Sequence, residues 1–213
     1  FMPNIESTSI QHRLIAVEGP IGVGKTALAK KLAYNLNYQL LLENAKANPF
    51  LKRFYSDTKS VGLQTQLHFL FERVRQLESL QHNDLFNSHT VADFLIDKDQ
   101  LFAQIALDED EINIYQKVHD RLNLSTPTPD LVVVLQAPTD VLYERLQQRA
   151  GSDESRLSFD YLQKINDSYT HFFHHYQSAP LLLVNSTELD LSNNEAHFHQ
   201  LLDYLLTVNS GRH

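Results

Sequence analysis

A glycine-rich loop near the start of the chain carries residue types that bind phosphate. The motif G-x-x-x-x-G-K-[ST] is matched by Gly19, Pro20, Ile21, Gly22, Val23, Gly24, Lys25 and Thr26. In such a loop backbone N–H groups surround phosphate oxygens, the lysine neutralises the β- and γ-phosphates, and the hydroxyl can ligate Mg²⁺. An apolar run precedes the loop and a helical pattern follows it, as this motif requires. We therefore expect ATP or GTP here rather than a chance glycine-rich turn.

Hydrolysis motors, switch GTPases and small-molecule kinases all use such a loop. A GTPase would usually carry an Asn-Lys-x-Asp motif for the base, and the sequence has none. A chain of 213 residues would be unusually small for a motor ATPase. The sequence therefore favours a kinase of a small metabolite.

A carboxylate follows the second apolar run, YQLLLE, where Glu43 ends a predicted strand. Residues at the carboxyl ends of parallel strands border the ligand crevice. From there Glu43 could accept the proton of an attacking hydroxyl. A solvated charge at the start of a helix would fit this position equally well, so position alone leaves both interpretations open.

Short β-like runs alternate with helical stretches, which indicates a five-stranded parallel sheet covered by helices on both faces. The predicted strands cover residues 13–18, 38–43, 89–96, 130–138 and 180–186. The predicted helices cover 26–36, 48–55, 60–80, 97–123 with a break at 107–109, 139–149, 158–177 and 194–208. No repeat or composition shift divides the chain, so we expect one α/β domain over residues 1–213.

The helix predicted at 60–80 presents two different faces. An apolar stripe recurs at steps of three and four residues: Leu63, Leu67, Leu70, Val74 and Leu77. Gln66 and Arg73 are nearly two full turns apart and share another face, about 100° from Leu67. That face can border a cleft while the leucines pack inward. Phe69 and Phe71 could stack on a base, but aromatic residues on such a helix more often belong to the core, which is the preferred expectation for both.

Composition excludes several classes of function. The net charge of −8 argues against a nucleic-acid polymer as partner, because such binding needs a basic face. Apolar runs such as LVVVL are far too short to span a bilayer, and the start of the chain does not resemble a secretory signal. The chain has no cysteine, so disulfides and thiolate metal sites are excluded. We expect a cytoplasmic protein with no membrane partner.

Four segments, in order and with their spacing, resemble the deoxynucleoside kinase family, and bacterial deoxyadenosine, deoxyguanosine and deoxycytidine kinases most. They are IAVEGPIGVGKT, LLENAKANPFLKRFYSD, LQTQLHFLFERVRQL and ERLQQRAGSDESRLSFDYLQKIN. The likeness runs from about residue 13 to residue 185. It implies a P-loop enzyme that uses ATP and Mg²⁺ to phosphorylate the 5′-hydroxyl of a deoxyribonucleoside. Relatives of this kind are usually homodimers built on paired helices, and the helix at 60–80 is a candidate interface.

The resemblance also implies roles for the acceptor side. Glu43, five residues before Asn-Pro, matches the catalytic glutamate that takes the proton of the 5′-hydroxyl. Tyr55 matches the tyrosine that contacts the sugar, and Gln66 matches the glutamine that contacts the base. Arg73 matches the arginine seven residues after that glutamine.

Further roles concern the donor and the metal. Arg145 and Arg149 match two arginines of a lid, about residues 145–157, that closes over the donor phosphates. Glu154 matches the lid glutamate that binds the 3′-hydroxyl together with the tyrosine. Asp93 keeps an acidic family position after the third strand, where it would join Thr26 at Mg²⁺ and help to organise the acceptor.

The chain departs from the family in two places. Phe94 and Leu95 stand where the family carries arginine and serine after the acidic residue, so Asp-Lys-Asp at 97–99 marks a variant branch. Gly151 stands where the lid often has an arginine. These departures motivate an alternative, a catalytically weak nucleotide-binding regulator. A nucleoside monophosphate kinase is a further alternative, but no basic cluster for an acceptor phosphate is visible.

Overall fold

In the computed structural model, residues 12–82, 89–123, 126–149, 151–187, 191 and 193–213 are described. Over these residues the chain forms five strands and eight α-helices. The strands are β1 (Leu14–Glu18), β2 (Gln39–Leu41), β3 (Thr90–Ala92), β4 (Leu131–Gln136) and β5 (Leu181–Asn185). The helices are α1 (Lys25–Leu36), α2 (Leu51–Ser56), α3 (Gly62–His82), α4 (Asp99–Ala106), α5 (Glu109–Asn123), α6 (Thr139–Gln148), α7 (Phe159–His175) and α8 (Glu195–Leu205).

The strands form one parallel sheet in the order β2-β3-β1-β4-β5, which confirms the predicted fold class. The central strands β1 and β4 are the most apolar, because a parallel strand covered on both faces must be buried on both. The carboxyl ends of all strands lie at the same edge. The residues that follow β1, β2 and β3 therefore meet there.

Alternation along the strands separates two layers of helices. Ile15 and Val17 face a core layer that contains residues of α1, α6 and α8. Ala16 and Val134 face the opposite layer, where α4 and α7 pack. Successive side chains of a strand point to opposite faces, so one short run of apolar residues supports both layers.

Helix α3 places the predicted apolar stripe inward. Leu70, Val74 and Leu77 are buried in a core cluster shared with α2, α4 and α5. The expectation of a core position is wrong for Phe71, which is 51% exposed. It is also wrong for Phe69, which lines a cavity. The two rings lie on faces of the helix that diverge from the leucine stripe.

Several predicted elements are shorter in the structure. The strand expected at 89–96 spans only Thr90–Ala92, since the chain turns after Ala92 and forms a short 3₁₀ turn at Ile96–Lys98. The strand expected at 38–43 ends at Leu41, which leaves Glu43 two residues beyond it. The break expected near 107–109 does separate α4 from α5. None of the helices within the described ranges is long and apolar enough to cross a membrane.

The phosphate loop requires glycine at its first position. Gly19 has φ of +151°, a conformation that side chains rarely adopt, and its Cα faces β4. A Cβ added there would lie 2.6 Å from the carbonyl oxygen of Leu135 and 2.8 Å from Cγ1 of Val23. Gly24 also has a positive φ, +102°, but a Cβ there would meet no atom within 4 Å. Substitutions at the two glycines therefore distinguish the cost of a positive φ from the cost of a clash with neighbouring atoms.

We expect Gly19→Ala to be more destabilising than Gly24→Ala. The second variant bears only the conformational penalty of roughly 1–2 kcal/mol, whereas the first adds a clash that costs about 1–3 kcal/mol more. Urea denaturation followed by circular dichroism measures both free energies of unfolding. Equal losses in the two variants would show that the contact with Leu135 imposes no constraint.

Candidate active site

A cavity of about 200 Å³ opens at the carboxyl edge of the sheet beside the phosphate loop. It brings together residues that are far apart in sequence, and most of the predicted site residues line it. These are Pro20, Ile21, Gly22, Gly24, Lys25, Thr26, Glu43, Tyr55, Gln66, Arg73, Arg149 and Glu154. We call this space the acceptor cleft.

Asp93 connects the end of the phosphate loop to the segment after β2. The hydroxyl of Thr26 donates to Oδ2 of Asp93 at 2.6 Å. The backbone N–H of Glu43 donates to Oδ1 of the same carboxylate at 2.7 Å. Asp93 is buried and directly follows β3. One carboxylate thus sets the distance between the phosphate loop and Glu43.

The segment that carries Glu43 is held against α3 at several points. Gln76 donates from its amide to the carbonyl of Leu42 at 2.9 Å. Asn48, which is buried, donates to the carbonyl of Thr65 at 3.1 Å and accepts from the N–H of Phe50. These contacts give the Asn-Pro sequence a structural role, because they direct the Glu43 side chain toward the cleft.

Glu43 is paired with Arg73. The Nε of Arg73 donates to Oε1 of Glu43 at 2.6 Å, and a terminal guanidinium nitrogen contacts the same oxygen. Burial alone raises the pKa of Glu43, but the charges of Arg73, Lys98 and Lys25 outweigh burial and lower the pKa to about 2. The carboxylate is therefore ionised across the whole physiological pH range.

Arg73 is shared between two carboxylates. Its NH1 contacts Asp99, at the start of α4, and its guanidinium lies over the ring of Phe69, 4.9 Å from the centroid. Asp99 is 1% exposed, and its Oδ2 has no hydrogen-bond partner. Burial raises the pKa of Asp99 to about 7 although Arg73 and Lys98 lower it. Arg73 thus makes two contacts with Glu43 and one with Asp99, and one oxygen of Asp99 is left without a hydrogen bond.

A second buried carboxylate, Glu18, lies at the end of β1 directly before the phosphate loop. Its Oε2 accepts the N–H of Gly19 at 2.8 Å and the hydroxyl of Tyr169 at 3.0 Å. Its Oε1 accepts the N–H of Leu95 at 3.1 Å and lies 2.6 Å from Nζ of Lys98. Glu18 thus connects the loop to α7 and to the segment between β3 and α4.

Two ammonium groups border the acceptor cleft. Lys25 and Lys98 both line it. Burial lowers the pKa of Lys25, and the positive charge of Lys98 lowers it further. The nearby carboxylates Glu18 and Glu43 act in the opposite direction. The part of the cleft beside the phosphate loop is therefore positively charged, and a bound anion would offset the repulsion between the two ammonium groups.

The opposite end of the cleft is aromatic and acidic. Tyr55, Tyr161 and Phe54 line it together with Glu154. Burial, then the charges of Glu154 and Glu43, raise the pKa of Tyr55, so this phenol keeps its proton and can donate it in a hydrogen bond. The hydroxyl of Tyr161 is buried without a hydrogen-bond partner.

The two arginines that were predicted to belong to a lid lie in different places. Arg149, just after α6, borders the acceptor cleft and lies 3.7 Å from Glu154, from NH1 to Oε2. Arg145 does not line that cleft. It donates to the carbonyl of Ser186 at 3.1 Å and lines a second cavity of about 410 Å³ on the other side of the phosphate loop.

Several residues that line or support the cleft were absent from the predicted site. They include the polar residues Glu18, Lys98, Asp99 and Tyr161. Glu18 had a signal in the sequence, since a charged residue ends an otherwise apolar buried strand. Tyr161 sits seven residues after Glu154 but had no distinguishing pattern. Lys98 ends the 3₁₀ turn before α4 and Asp99 begins α4, so both lie at the very start of the predicted helix, where periodicity does not yet indicate side-chain direction.

The raised pKa of Asp99 predicts a specific dependence of stability on pH. Between its usual value of 3.8 and about 7 the folded protein holds a proton that the unfolded chain releases. The free energy of unfolding therefore falls as pH rises through this window, by a few kcal/mol at most. We expect Asp99→Asn to remove this decline, as measured by urea denaturation from pH 4 to pH 8.

The exposed carboxylate of Asp110 supplies the control for this measurement. The variant Asp110→Asn should keep the profile of the unmodified chain, because every other titrating group is common to both. Parallel profiles for Asp99→Asn and the unmodified chain would contradict the raised pKa.

Known proteins are similar to this chain over most of its length. A family model described as deoxynucleoside kinase matches residues 15–208. A deoxyguanosine kinase of Bacillus subtilis is 29% identical over 192 residues, which cover 88% of this chain and 93% of that protein. A deoxyadenosine kinase of Dictyostelium discoideum is 30% identical over 192 residues, with coverage of 87% and 77%.

A solved structure shares the fold. A deoxyadenosine kinase from M. mycoides with bound dATP superposes with a TM-score of 0.78 at 23% identity. The match covers 91% of this chain and 99% of that one. The family match spans most of the chain, from β1 to the residues after α8, and includes every strand of the sheet. This chain therefore belongs to the deoxynucleoside kinase family.

Proposed function

We propose that this enzyme transfers the γ-phosphoryl group of ATP to the 5′-hydroxyl of a deoxyribonucleoside, giving the 5′-monophosphate and ADP. Family membership makes the chain a phosphotransferase. The observation that carries the proposal is that two cavities meet at the phosphate loop. Gly22, Gly24 and Arg149 border both of them, and Glu43 borders only the acceptor cleft.

The acceptor cleft fits a deoxyribonucleoside with its sugar between Glu43 and Glu154. Tyr55 and Glu154 would hold the 3′-hydroxyl, since the protonated phenol can donate a hydrogen bond to its oxygen and the carboxylate can accept its proton in a second one. Gln66 would contact the base with its amide, which presents a donor beside an acceptor. Arg73 would act at both ends, because it lies over Phe69 near the base and also holds Glu43.

The cavity behind the phosphate loop fits the donor nucleotide. Arg145, Thr187 and Asn193 line it with Gly22 and Gly24. A nucleotide in this position would extend its phosphates over the loop toward Lys25 and would place its base against Arg145. Arg149 would reach the phosphates from the lid. Backbone N–H groups and the dipole of α1 favour the same polyanion.

Thr26 and Asp93 would hold Mg²⁺. Their oxygens lie 2.6 Å apart at the end of the phosphate loop, and hydroxyl and carboxylate oxygens are the ligands this hard cation prefers. When bound, the ion would neutralise charge on the β- and γ-phosphates. Asp93 also holds the backbone of Glu43, so the same residue would link the metal to the acceptor side.

The transfer forms a bond from the 5′-oxygen to the γ-phosphorus and breaks the bond from that phosphorus to the β,γ-bridging oxygen. The proton of the 5′-hydroxyl passes to a carboxylate oxygen of Glu43. A pKa of about 2 in the free enzyme keeps Glu43 ionised but makes it a weak base. Its main contribution is then to orient the hydroxyl, because phosphoryl transfer depends on positioning and charge stabilisation.

The two departures from the family pattern lie outside the acceptor cleft. Phe94 is 2% exposed and belongs to the core cluster around α3. Gly151 has φ of +90° and open space where a Cβ would stand. Neither residue lines the cleft. Lys25, Thr26 and Glu43 remain together, which favours an active kinase over a regulatory relative.

A panel of the four common deoxyribonucleosides, their monophosphates and labelled ATP tests the proposal. We expect product from at least one nucleoside and favour purines, as the names of several relatives suggest. Glu43→Gln should lower turnover about 100-fold or more while nucleoside binding is mostly kept, because the neutral amide orients the 5′-hydroxyl less well and cannot take its proton. Glu72→Gln, on the outer part of α3, is the matched control and should behave as the unmodified enzyme.

The possible outcomes separate the alternatives. No product from any nucleoside despite tight ATP binding would support the regulatory relative. Product only from monophosphates would support a nucleoside monophosphate kinase. Near-normal turnover of Glu43→Gln would remove Glu43 from the mechanism.

We also propose that the enzyme is a homodimer that uses the outer face of α3 and α5. Phe71 on α3 and Ile114 on α5 are 51% and 52% exposed, and these two helices pack against each other. Phe71→Asp should shift the molecular mass seen by light scattering from dimer to monomer. Tyr34→Asp, at a still more exposed aromatic on α1 (87% exposed), should leave the mass unchanged, and a monomeric parent protein would contradict the proposal.

Two further predictions remain part of the proposal. The whole chain, residues 1–213, would act as a single nucleoside kinase domain with its lid at about 145–157. The enzyme would act on a small molecule in the cytoplasm, a location that the lack of cysteine favours.

A further inference from the structure

Lys98 is the most deeply buried cation of the acceptor cleft. It is 1% exposed and is paired with Glu18, which is 0% exposed, at 2.6 Å between Nζ and Oε1. Removing two charges from water costs several kcal/mol per ion unless their remaining hydrogen-bonding capacity is also satisfied. A cation in such a place calls for an explanation beyond the pair itself.

The two partners differ in how completely they are satisfied. Glu18 receives the N–H groups of Gly19 and Leu95 and the hydroxyl of Tyr169 in addition to Lys98. The ammonium of Lys98 has three N–H groups. Among the residues that the structure describes, Glu18 is its one hydrogen-bonding or ion-pair partner. Glu18 is therefore complete without a ligand, and Lys98 is not.

The position of Lys98 indicates what would complete it. Lys98 lines the cleft with Lys25 and Glu43, and its charge acts on both of them. Lys25 belongs to the loop that holds the β- and γ-phosphates. Glu43 belongs to the acceptor side. An ammonium that lines the same cleft as both groups is placed where a phosphoryl group would pass from donor to acceptor.

We propose that Lys98 binds the γ-phosphoryl group of the donor and stabilises its charge during transfer. Glu18 is the positioning residue that holds the ammonium in place. The inference rests on the proposed function, since it assigns a residue to that same site. The proposal also identifies a residue that supplies positive charge beside the transferred group. Phe94 and Leu95 cannot supply it, because they are apolar and buried in the core.

Two variants separate a ligand for the phosphoryl group from a structural link between β1 and α4. Glu18→Gln breaks the ion pair and keeps the ammonium. Glu18→Gln combined with Lys98→Met breaks the pair and removes the ammonium, and it leaves no unpaired buried charge. Calorimetric titration of each protein with ATP and with ADP, in Mg²⁺ and without a nucleoside, measures the preference for the γ-phosphoryl group.

We expect the unmodified protein to bind ATP about tenfold or more tightly than ADP, Glu18→Gln to keep part of this preference because the ammonium remains but is less well positioned, and the double variant to bind the two alike. If Glu18→Gln does not fold, Tyr169→Phe replaces it, because it removes one donor to Glu18 and keeps Lys98. A double variant that keeps the ATP preference would overturn the proposal. The proposal would also be overturned if Glu18→Gln or Tyr169→Phe, which retain the ammonium, lost the preference for ATP to the same extent as the double variant. An unmodified protein without this preference would overturn it as well.

This measurement stays informative if the proposed function fails. Absence of any product in the nucleoside panel would reject the kinase activity, whereas the ratio of ADP to ATP dissociation constants involves no acceptor. Where the panel yields product, single-turnover rates add a second readout. The double variant should then transfer the phosphoryl group about 100-fold more slowly at saturating ATP.

Discussion

The acceptor cleft depends on the hydrogen bonding of one buried carboxylate, Glu18. A charge withdrawn from water is tolerated only when its oxygens are fully paired, and each oxygen of Glu18 has two partners. These partners come from the phosphate loop, the segment after β3, the turn before α4, and α7. A single side chain at the end of β1 therefore holds the loop in a fixed relation to both walls of the cleft.

A second constraint is that two buried carboxylates share one cation. Arg73 contacts both Glu43 and Asp99, and the arrangement keeps Glu43 ionised while Asp99 tends to hold a proton. The ion pairs of Arg73 are buried, so salt screens them much less than it screens solvated pairs. A change in the charge of one of the three groups therefore shifts the pKa of the others. A triphosphate brought beside Lys25 would weaken the field that lowers the pKa of Glu43. In the proposed mechanism, the binding of the donor would thereby raise the pKa of Glu43 and make it a better base.

Much of the fold could be predicted because local patterns determine it. The alternating apolar runs indicated the parallel sheet, and the stripe of α3 placed Leu70 and Val74 inward. The spacing of Gln66 and Arg73 put both on one face, and both line the cleft. Some elements are shorter in the structure than predicted because the chain continues as irregular backbone, as it does after β3. No periodicity in the sequence marks where such a segment begins. Phe69 and Phe71 were misplaced because hydrophobicity alone does not distinguish a core from a cavity or an exposed face.

By itself the sequence determined the phosphate loop, the order of the strands and helices, and the direction of side chains within each regular element. Periodicity suffices for these features, since the geometry of a helix or strand is the same wherever it occurs. Only the tertiary structure decided that Arg73 bridges Glu43 and Asp99, that Lys98 pairs with Glu18, and that Arg145 lies apart from the acceptor cleft. Each of these contacts joins different elements. Their distances depend on how the layers pack, which no spacing along the chain records.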